Sequence, residues 1–174
     1  GQGFIQTTPI QLCLMTAQIA NGGYKIYPKI VANDESQYQD KFTPLYKNSR
    51  NIKIVQDAMF SSTNEVRGTS FRSRLNDTKY QFAGKTGTSQ VKKITERDRE
   101  LDLKTFEIPY EERDHALFIA FGPYKNPRYA LSIIIEHGGS GGTVAAPLAK
   151  ELFKMIVDRH EIRKNFDNKK YLDI

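Results

Sequence analysis

The chain has 174 residues, of which 39% are hydrophobic and 26% charged, and these values fit one ordinary globular domain rather than a disordered chain. The formal net charge is +6, but the basic residues are scattered and are not interleaved with aromatic residues on one face, which argues against nucleic-acid binding. A single cysteine, Cys13, excludes an internal disulfide, and no apolar run approaches the roughly 20 residues of a membrane span.

The first predicted element is a helix that begins at Pro9. Thr8-Pro9-Ile10-Gln11 has the pattern of a capping box with proline at the first helical position, and Asn21-Gly22-Gly23 is a typical helix end. Apolar residues cover nearly the whole circumference, which predicts that other elements surround this helix. If part of that covering structure is missing, the exposed helix and a free sheet edge predict self-association.

Shorter elements are predicted next. Residues 24–27 and 29–31 favour short strands before a polar loop. A short amphipathic helix, ending near Ser61 or Ser62, is indicated by apolar residues at helical spacing: Ile52, Val55, Ala58 and Met59. Gly68-Thr69 indicates a turn after it.

The segment Ala83-Gly84-Lys85-Thr86-Gly87-Thr88-Ser89-Gln90-Val91 follows alternating aromatic and polar residues, which favours a strand. On a strand, Lys85 and Gly87 share one face, and Thr86 and Thr88 share the other. An edge strand of this composition offers backbone N–H groups, hydroxyls and an ammonium group to an anion, and Gly87 permits close approach by another element. We therefore predict a carboxylate-binding strand; the alternative is a polar edge strand without a function.

A nucleotide site is rejected, although Gly84-Lys85-Thr86 also matches the end of a phosphate-binding P-loop. The position five residues before Gly84 is Lys79 instead of glycine. The residues that follow are a poor start for the helix that a P-loop opens.

The second half of the chain predicts a long mobile loop, two strands and a helix. Residues 92–114 carry many charges of both signs, which favours a loop. Residues 115–121 and 128–135 predict antiparallel strands, the first of them central because it is apolar on both faces. Gly138-Gly139-Ser140-Gly141-Gly142 predicts a flexible hinge.

A long amphipathic helix is predicted to follow this hinge, with Pro147 in its first turn and an end near Arg159. The fold class is therefore α+β, an antiparallel sheet packed with helices. We expect one domain over residues 1–159 and a polar, frayed tail over residues 160–174.

Several segments carry a resemblance to a known family. They are Gly1-Gln2-Gly3-Phe4 with Thr8-Pro9-Ile10-Gln11-Leu12, Ala20-Asn21-Gly22-Gly23, Ala83-Gly84-Lys85-Thr86-Gly87-Thr88, His115-Ala116 with Phe118, and Glu136-His137-Gly138-Gly139 with Ala145-Ala146-Pro147. In this order they resemble the C-terminal part of the transpeptidase domain of class B penicillin-binding proteins, the elongation type more than the division type. The resemblance implies the C-terminal portion of a penicillin-binding protein/β-lactamase-like transpeptidase fold.

This family uses three motifs, S-x-x-K, S-x-N and K-T-G, and its serine attacks a peptidoglycan stem peptide or a β-lactam to form an acyl-enzyme. Ser89-Gln90-Val91-Lys92 matches S-x-x-K, but residues three apart on a strand point to opposite faces, so the lysine could not deprotonate the serine. Ser49-Arg50-Asn51 and Ser62-Thr63-Asn64 match S-x-N, but in the family that motif precedes the Gly-Gln-Gly-Phe segment. The nucleophile, its lysine and S-x-N are therefore expected before Gly1, and the isolated fragment is expected to be inactive.

The resemblance implies roles for the remaining motif. Lys85 would place positive charge beside the nucleophile and the substrate carboxylate, and the hydroxyls of Thr86 and Thr88 would bind that carboxylate. Gly87 belongs to the same substrate- and β-lactam-binding strand, and the backbone N–H of Thr88 would be one of two oxyanion donors.

The resemblance also implies where the full-length parent works and with what. Its expected ligands are the stem peptide and β-lactam antibiotics, with no cofactor. Its expected partner is a membrane glycosyltransferase of the elongation machinery, at the periplasmic face of the bacterial inner membrane.

Two other interpretations stay open. A serine β-lactamase or D,D-carboxypeptidase would share the Lys-Thr-Gly strand, and the net positive charge fits a stand-alone basic binding module for an anionic polymer. His115 and His137 suggest a metal site, but the family pattern has no metal, and such histidines more often make structural hydrogen bonds. We therefore expect no metal.

Overall fold

A three-stranded antiparallel sheet forms the centre of the described part of the chain, which comprises residues 5–30, 42–93 and 103–170 of the computed structural model. The strands are β1 (Ala83–Ser89), β2 (His115–Gly122) and β3 (Tyr129–Ile135), in the order β1-β2-β3. The central position of β2 confirms the prediction from its apolar faces.

One face of the sheet is covered by helix α3 (Ala146–Lys170) and by the π-helical turn Gly141–Ala145 that leads into it. Phe82, immediately before β1, is fully buried in this layer and stacks on Phe153 of α3, with the ring centroids 4.9 Å apart. Removing an aromatic side chain of this size from water contributes about 1.5–3 kcal/mol. The stack fixes the start of β1 against the C-terminal helix.

Helices α1 (Pro9–Ala20) and α2 (Ser49–Asn64) cover the opposite face. Met59 of α2 packs with Ala83 of β1 in a small buried cluster. Gln56 of α2 donates its side-chain amide to the carbonyl of Ile19 at 2.7 Å, which joins the two helices. The result is three layers, helices on both faces of an antiparallel sheet, and it confirms the predicted α+β class.

The start of α1 confirms the capping box, because the backbone N–H of Thr8 donates to Gln11 Oε1 at 2.8 Å and the N–H of Gln11 donates to Thr8 Oγ1 at 3.4 Å. The prediction that α1 is buried on all sides is wrong for this chain. Thr16 is its one buried residue, whereas Ile10 and Met15 are 58% and 40% exposed. The sheet and α2 cover one side of the helix, and its apolar residues extend beyond that side.

Three other predicted bounds change. Residues 24–27 form no strand beyond an isolated bridge from Tyr24 to Pro44, because the Lys25 carbonyl accepts the N–H of Phe42 instead of that of Thr43, which ends the ladder. Residues 31–41 lie outside the described range. Helix α2 is longer than predicted because the Asn48 side chain caps it by accepting from the N–H of Arg50 at 2.9 Å. Helix α3 continues past Arg159 because residues 160–170 contain neither proline nor glycine.

The two predicted flexible regions have different outcomes. Gly141 is buried in the π-helical turn, so the segment predicted as a flexible hinge ends in helical structure. Within the predicted loop at residues 92–114, residues 94–102 lie outside the described range. The part nearest β2 contains the short 3-10 helix Tyr110–Glu112. None of the described helices is both long and apolar enough to cross a membrane.

Candidate functional site

The Lys-Thr-Gly residues lie on β1, which pairs only with β2 in the described sheet, so its other edge has no strand partner there. The exposed side chain of Lys85 bends around this free edge. Its Nζ donates to the carbonyl of Thr86 at 2.8 Å and lies 3.4 Å from Thr86 Oγ1. An ammonium group and a hydroxyl that start on opposite faces of the strand therefore meet at one edge.

The backbone of Thr88 faces the same edge. Backbone groups two residues apart in an antiparallel strand point to the same side. The Thr86 carbonyl takes the Lys85 ammonium on the side away from β2, so the N–H of Thr88 is directed there as well. The free edge of β1 thus combines a cation, a hydroxyl and a backbone donor, which together suit an anion.

Thr69, in the turn after α2, contacts this edge. Its Oγ1 lies 3.1 Å from Thr86 Oγ1 and 3.2 Å from Ser62 Oγ, at the end of α2. Neither contact was predicted from the sequence, where Gly68-Thr69 indicated a turn and Ser62 a possible helix end and part of a chance S-x-N match. The one signal available was a hydroxyl residue next to a turn glycine.

The turn that carries Thr69 is tied to the end of α2. Ser70, which is buried, donates both its N–H and its hydroxyl to the carbonyl of Ser62, at 3.1 and 3.0 Å. Its Oγ also lies 3.2 Å from the hydroxyl of the buried Thr63. A Cβ at Gly68 would lie 2.2 Å from the Ser62 carbonyl oxygen, so the turn fits only with glycine there.

The π-helical turn packs directly on the backbone of β1 and β2. A Cβ at Gly141 would lie 2.2 Å from the carbonyl oxygen of Leu117 and 2.6 Å from that of Gly87. Close approach of another element to β1 is therefore observed, but the glycine that permits it is Gly141. The Cβ position of Gly87 itself meets only Leu117 Cβ, at 3.3 Å.

The two histidines make structural hydrogen bonds at the far end of β1, where His115 pairs with Ser89. His115 Nδ1 accepts the backbone N–H of His137 at 2.9 Å. His137 Nδ1 lies 3.1 Å from the carbonyl of Arg113, which can only accept, so this nitrogen carries the proton. Both histidines therefore make hydrogen bonds within the fold, as predicted. Among the described residues there is no group of three or more side chains that could hold a metal ion.

The accidental motif matches do not assemble a catalytic pair. Lys92 Nζ forms an ion pair with Glu112 at 2.8 Å, while Ser89 ends β1. The side chain of Asn64 donates to backbone carbonyls, including that of Phe82 at 2.9 Å, and Ser49-Arg50-Asn51 begins α2. None of these residues provides a base beside a serine.

Comparison with known proteins gives consistent matches. A model of the penicillin binding protein transpeptidase domain matches residues 1–154. The peptidoglycan D,D-transpeptidase MrdA of Salmonella typhimurium (strain LT2) is 34% identical over 166 residues, which cover 91% of this chain and 26% of that protein. This chain therefore spans about a quarter of the length of the curated relatives it matches.

Two solved structures show the same fold. Pseudomonas aeruginosa PBP2 in complex with WCK 5153 superposes with a TM-score of 0.69 at 33% identity, over 89% of this chain and 31% of that chain. Helicobacter pylori PBP2 in complex with MreC gives a TM-score of 0.72 at 28% identity, over 91% of this chain and 26% of that chain. Sequence and fold agree, and they favour a transpeptidase over a stand-alone anion-binding module. The chain belongs to the penicillin-binding protein transpeptidase family, with proteins of the penicillin-binding protein 2 type among its relatives.

Proposed function

We propose that the protein containing this chain is a serine-type peptidoglycan D,D-transpeptidase of the elongation type. It cross-links stem peptides through an acyl-enzyme and is acylated by β-lactams. The observation that supports this most directly is the meeting of the Lys85 ammonium and the Thr86 hydroxyl at the free edge of β1. A stem peptide and a β-lactam each present a carboxylate, and charge-assisted hydrogen bonds bind such a group strongly.

Each residue of the strand has a distinct role in this proposal. Lys85 supplies positive charge beside the carboxylate and the nucleophile, and Thr86 and Thr88 donate their hydroxyls to the carboxylate. The N–H of Thr88 stabilises the oxyanion of the tetrahedral intermediate, a contribution of about 3–4 kcal/mol for one such donor. Gly87 has no side chain, so nothing projects from the strand between these residues.

The nucleophilic serine and its lysine base come from elsewhere in the protein, because no serine hydroxyl among the described residues is hydrogen-bonded to a lysine. The 174 residues alone therefore bind ligands weakly and catalyse nothing. The Helicobacter pylori neighbour was solved in complex with MreC, which supports a place for the parent in an elongation assembly. We place that assembly, with a membrane glycosyltransferase, at the periplasmic face of the inner membrane.

The test is acylation of the full-length protein by a fluorescent penicillin, followed by stopped flow. Lys85→Ala should slow acylation about ten- to a hundredfold, because a charge-assisted hydrogen bond contributes about 1.5–3 kcal/mol. Ser89→Ala is the matched control on the same strand and should acylate near normally.

The isolated 174-residue chain provides a second test, since it should take no label at all. A stable penicilloyl adduct on Ser89, found by mass spectrometry, would contradict the proposal. So would normal acylation of the Lys85→Ala protein.

A further inference from the structure

Thr86 ends a chain of three hydroxyl groups that begins at Ser62 and passes through Thr69. We infer that Ser62 and Thr69 are positioning residues, which hold the Thr86 hydroxyl as a hydrogen-bond donor toward the carboxylate of a ligand at the free edge of β1. The inference rests on the proposed function, which supplies the carboxylate. It adds two residues outside the Lys-Thr-Gly motif to the recognition of that group.

The contacts of Thr86 Oγ1 leave its proton free when Thr69 is the donor in the hydrogen bond that they share. A hydroxyl has one proton to donate and two lone pairs to accept with. Lys85 Nζ, which can only donate, lies 3.4 Å from Thr86 Oγ1, and Thr69 Oγ1 lies 3.1 Å from it. If Thr69 donates, both lone pairs of Thr86 are occupied, and its single proton remains for a ligand.

The direction of the hydrogen bonds along the three hydroxyl groups follows from the same count of protons and lone pairs. When Thr69 gives its proton to Thr86, the 3.2 Å contact with Ser62 is a hydrogen bond only if Ser62 donates. In the opposite direction Thr86 would donate its proton to Thr69 and turn a lone pair toward the carboxylate. The lone pair and the negatively charged carboxylate would repel each other. A bound carboxylate therefore selects the direction from Ser62 to Thr86, and hydrogen bonds aligned in this way polarise one another.

Thr69 is fixed before any ligand arrives. The neighbouring Ser70 is 1% exposed and donates twice to the carbonyl of Ser62, so the turn and the end of α2 form one unit. On the other side, a Cβ at Gly142 would lie 2.7 Å from the Thr69 carbonyl oxygen, so the π-helical turn packs against Thr69. A donor that is already held in place loses less entropy on binding.

The experiment measures acylation rates of the full-length protein with two compounds, a penicillin with its free carboxylate and the methyl ester of the same penicillin. Thr69→Val keeps the shape but removes the hydroxyl, and it should slow acylation by the acid about five- to tenfold while leaving the rate with the ester unchanged. Thr69→Ser should restore the rate with the acid. Ser62→Ala should slow only the acid, by about two- to threefold.

Ser61→Ala is the matched control, because the Ser61 hydroxyl lies on the same helix end but donates to Glu65 at 2.8 Å. It should acylate normally with both compounds. If the wild-type protein reacts with neither compound, the proposed function fails. If the wild type reacts but Thr69→Val matches it, or slows both compounds equally, the inference is overturned, and a purely structural role would give that second result.

Discussion

Replacing Gly141 with alanine should strongly destabilise the fold through a single added methyl group. That methyl would lie 2.2 Å from the Leu117 carbonyl oxygen, 2.6 Å from the Gly87 carbonyl oxygen and 3.2 Å from the Gly87 nitrogen. All three are backbone atoms, and Leu117 and Gly87 are partners in the β1–β2 ladder. None of them can rotate away as a side chain would.

The expected cost follows from these distances. Relief of the 2.2 Å contact requires the π-helical turn to move away from the sheet by about 1 Å, and overpacking of this kind costs roughly 1–3 kcal/mol. We expect the upper end, about 3 kcal/mol, because backbone atoms oppose the methyl group. For a chain of this size each kcal/mol lowers Tm by about 2–4 °C, so Tm should fall by about 6–12 °C.

Thermal unfolding followed by circular dichroism measures this effect. Gly87→Ala is the matched control on the other side of the contact. Its new methyl group meets only Leu117 Cβ at 3.3 Å, and alanine in a strand recovers about 0.5–1 kcal/mol of the entropy that glycine loses. The control should therefore melt within a few degrees of the wild type. Equal melting temperatures for the two variants would refute the packing argument.

Three further outcomes are expected. Phe82→Ala should lower the free energy of unfolding, measured with denaturant, by about 3–5 kcal/mol because the ring is fully buried. Phe106→Ala should be nearly neutral because that ring is 74% exposed. Similar losses of stability in the two variants would contradict the role of the aromatic stack. The hydrogen bond from the Tyr80 hydroxyl holds the pKa of the Asp158 carboxyl below its ordinary value of 3.8, so the stability it contributes is present above that pH and is lost as the pH falls through the lower pKa. The Asp158→Asn variant should therefore lose less stability than the wild type as the pH is lowered from 5 to 2. If the free energy of unfolding of both proteins falls with pH in parallel, the result contradicts the hydrogen bond between Tyr80 and Asp158. The exposed side of α1, including Ile10, predicts self-association at high concentration; sedimentation of a compact monomer that binds no apolar dye would argue otherwise.

Local sequence signals predicted the elements that depend on local chemistry. The capping box at Thr8 and the apolar run of β2 specify their structures within a few residues, and both are confirmed. The same is true of the alternation of Lys85 and Thr86 between the faces of β1, since the period of a strand fixes it. These features need no knowledge of what packs around them.

Predictions that depended on distant contacts were less successful. The burial of α1 was overestimated, because composition shows which residues are apolar but not how much surface the rest of the chain can cover. The glycines near Gly141 predicted flexibility, whereas Gly141 packs closely against a strand more than 50 residues earlier in the sequence. Nothing in the local sequence of Thr69 indicates a contact with Thr86, because the turn is brought there by the tertiary structure.

These distant contacts explain how an edge strand can hold a defined binding geometry. A strand with one partner is fixed by a ladder on one side only, so the position of its free edge depends on what packs against its faces and along that edge. For β1 this support comes from Phe82 at its start, Gly141 on one face and Thr69 beside Thr86. Substitutions at these three positions should therefore alter carboxylate recognition even though none of them belongs to the Lys-Thr-Gly motif. Only Thr69 should do so without a matching loss of stability, because its hydroxyl contacts the exposed edge rather than the core.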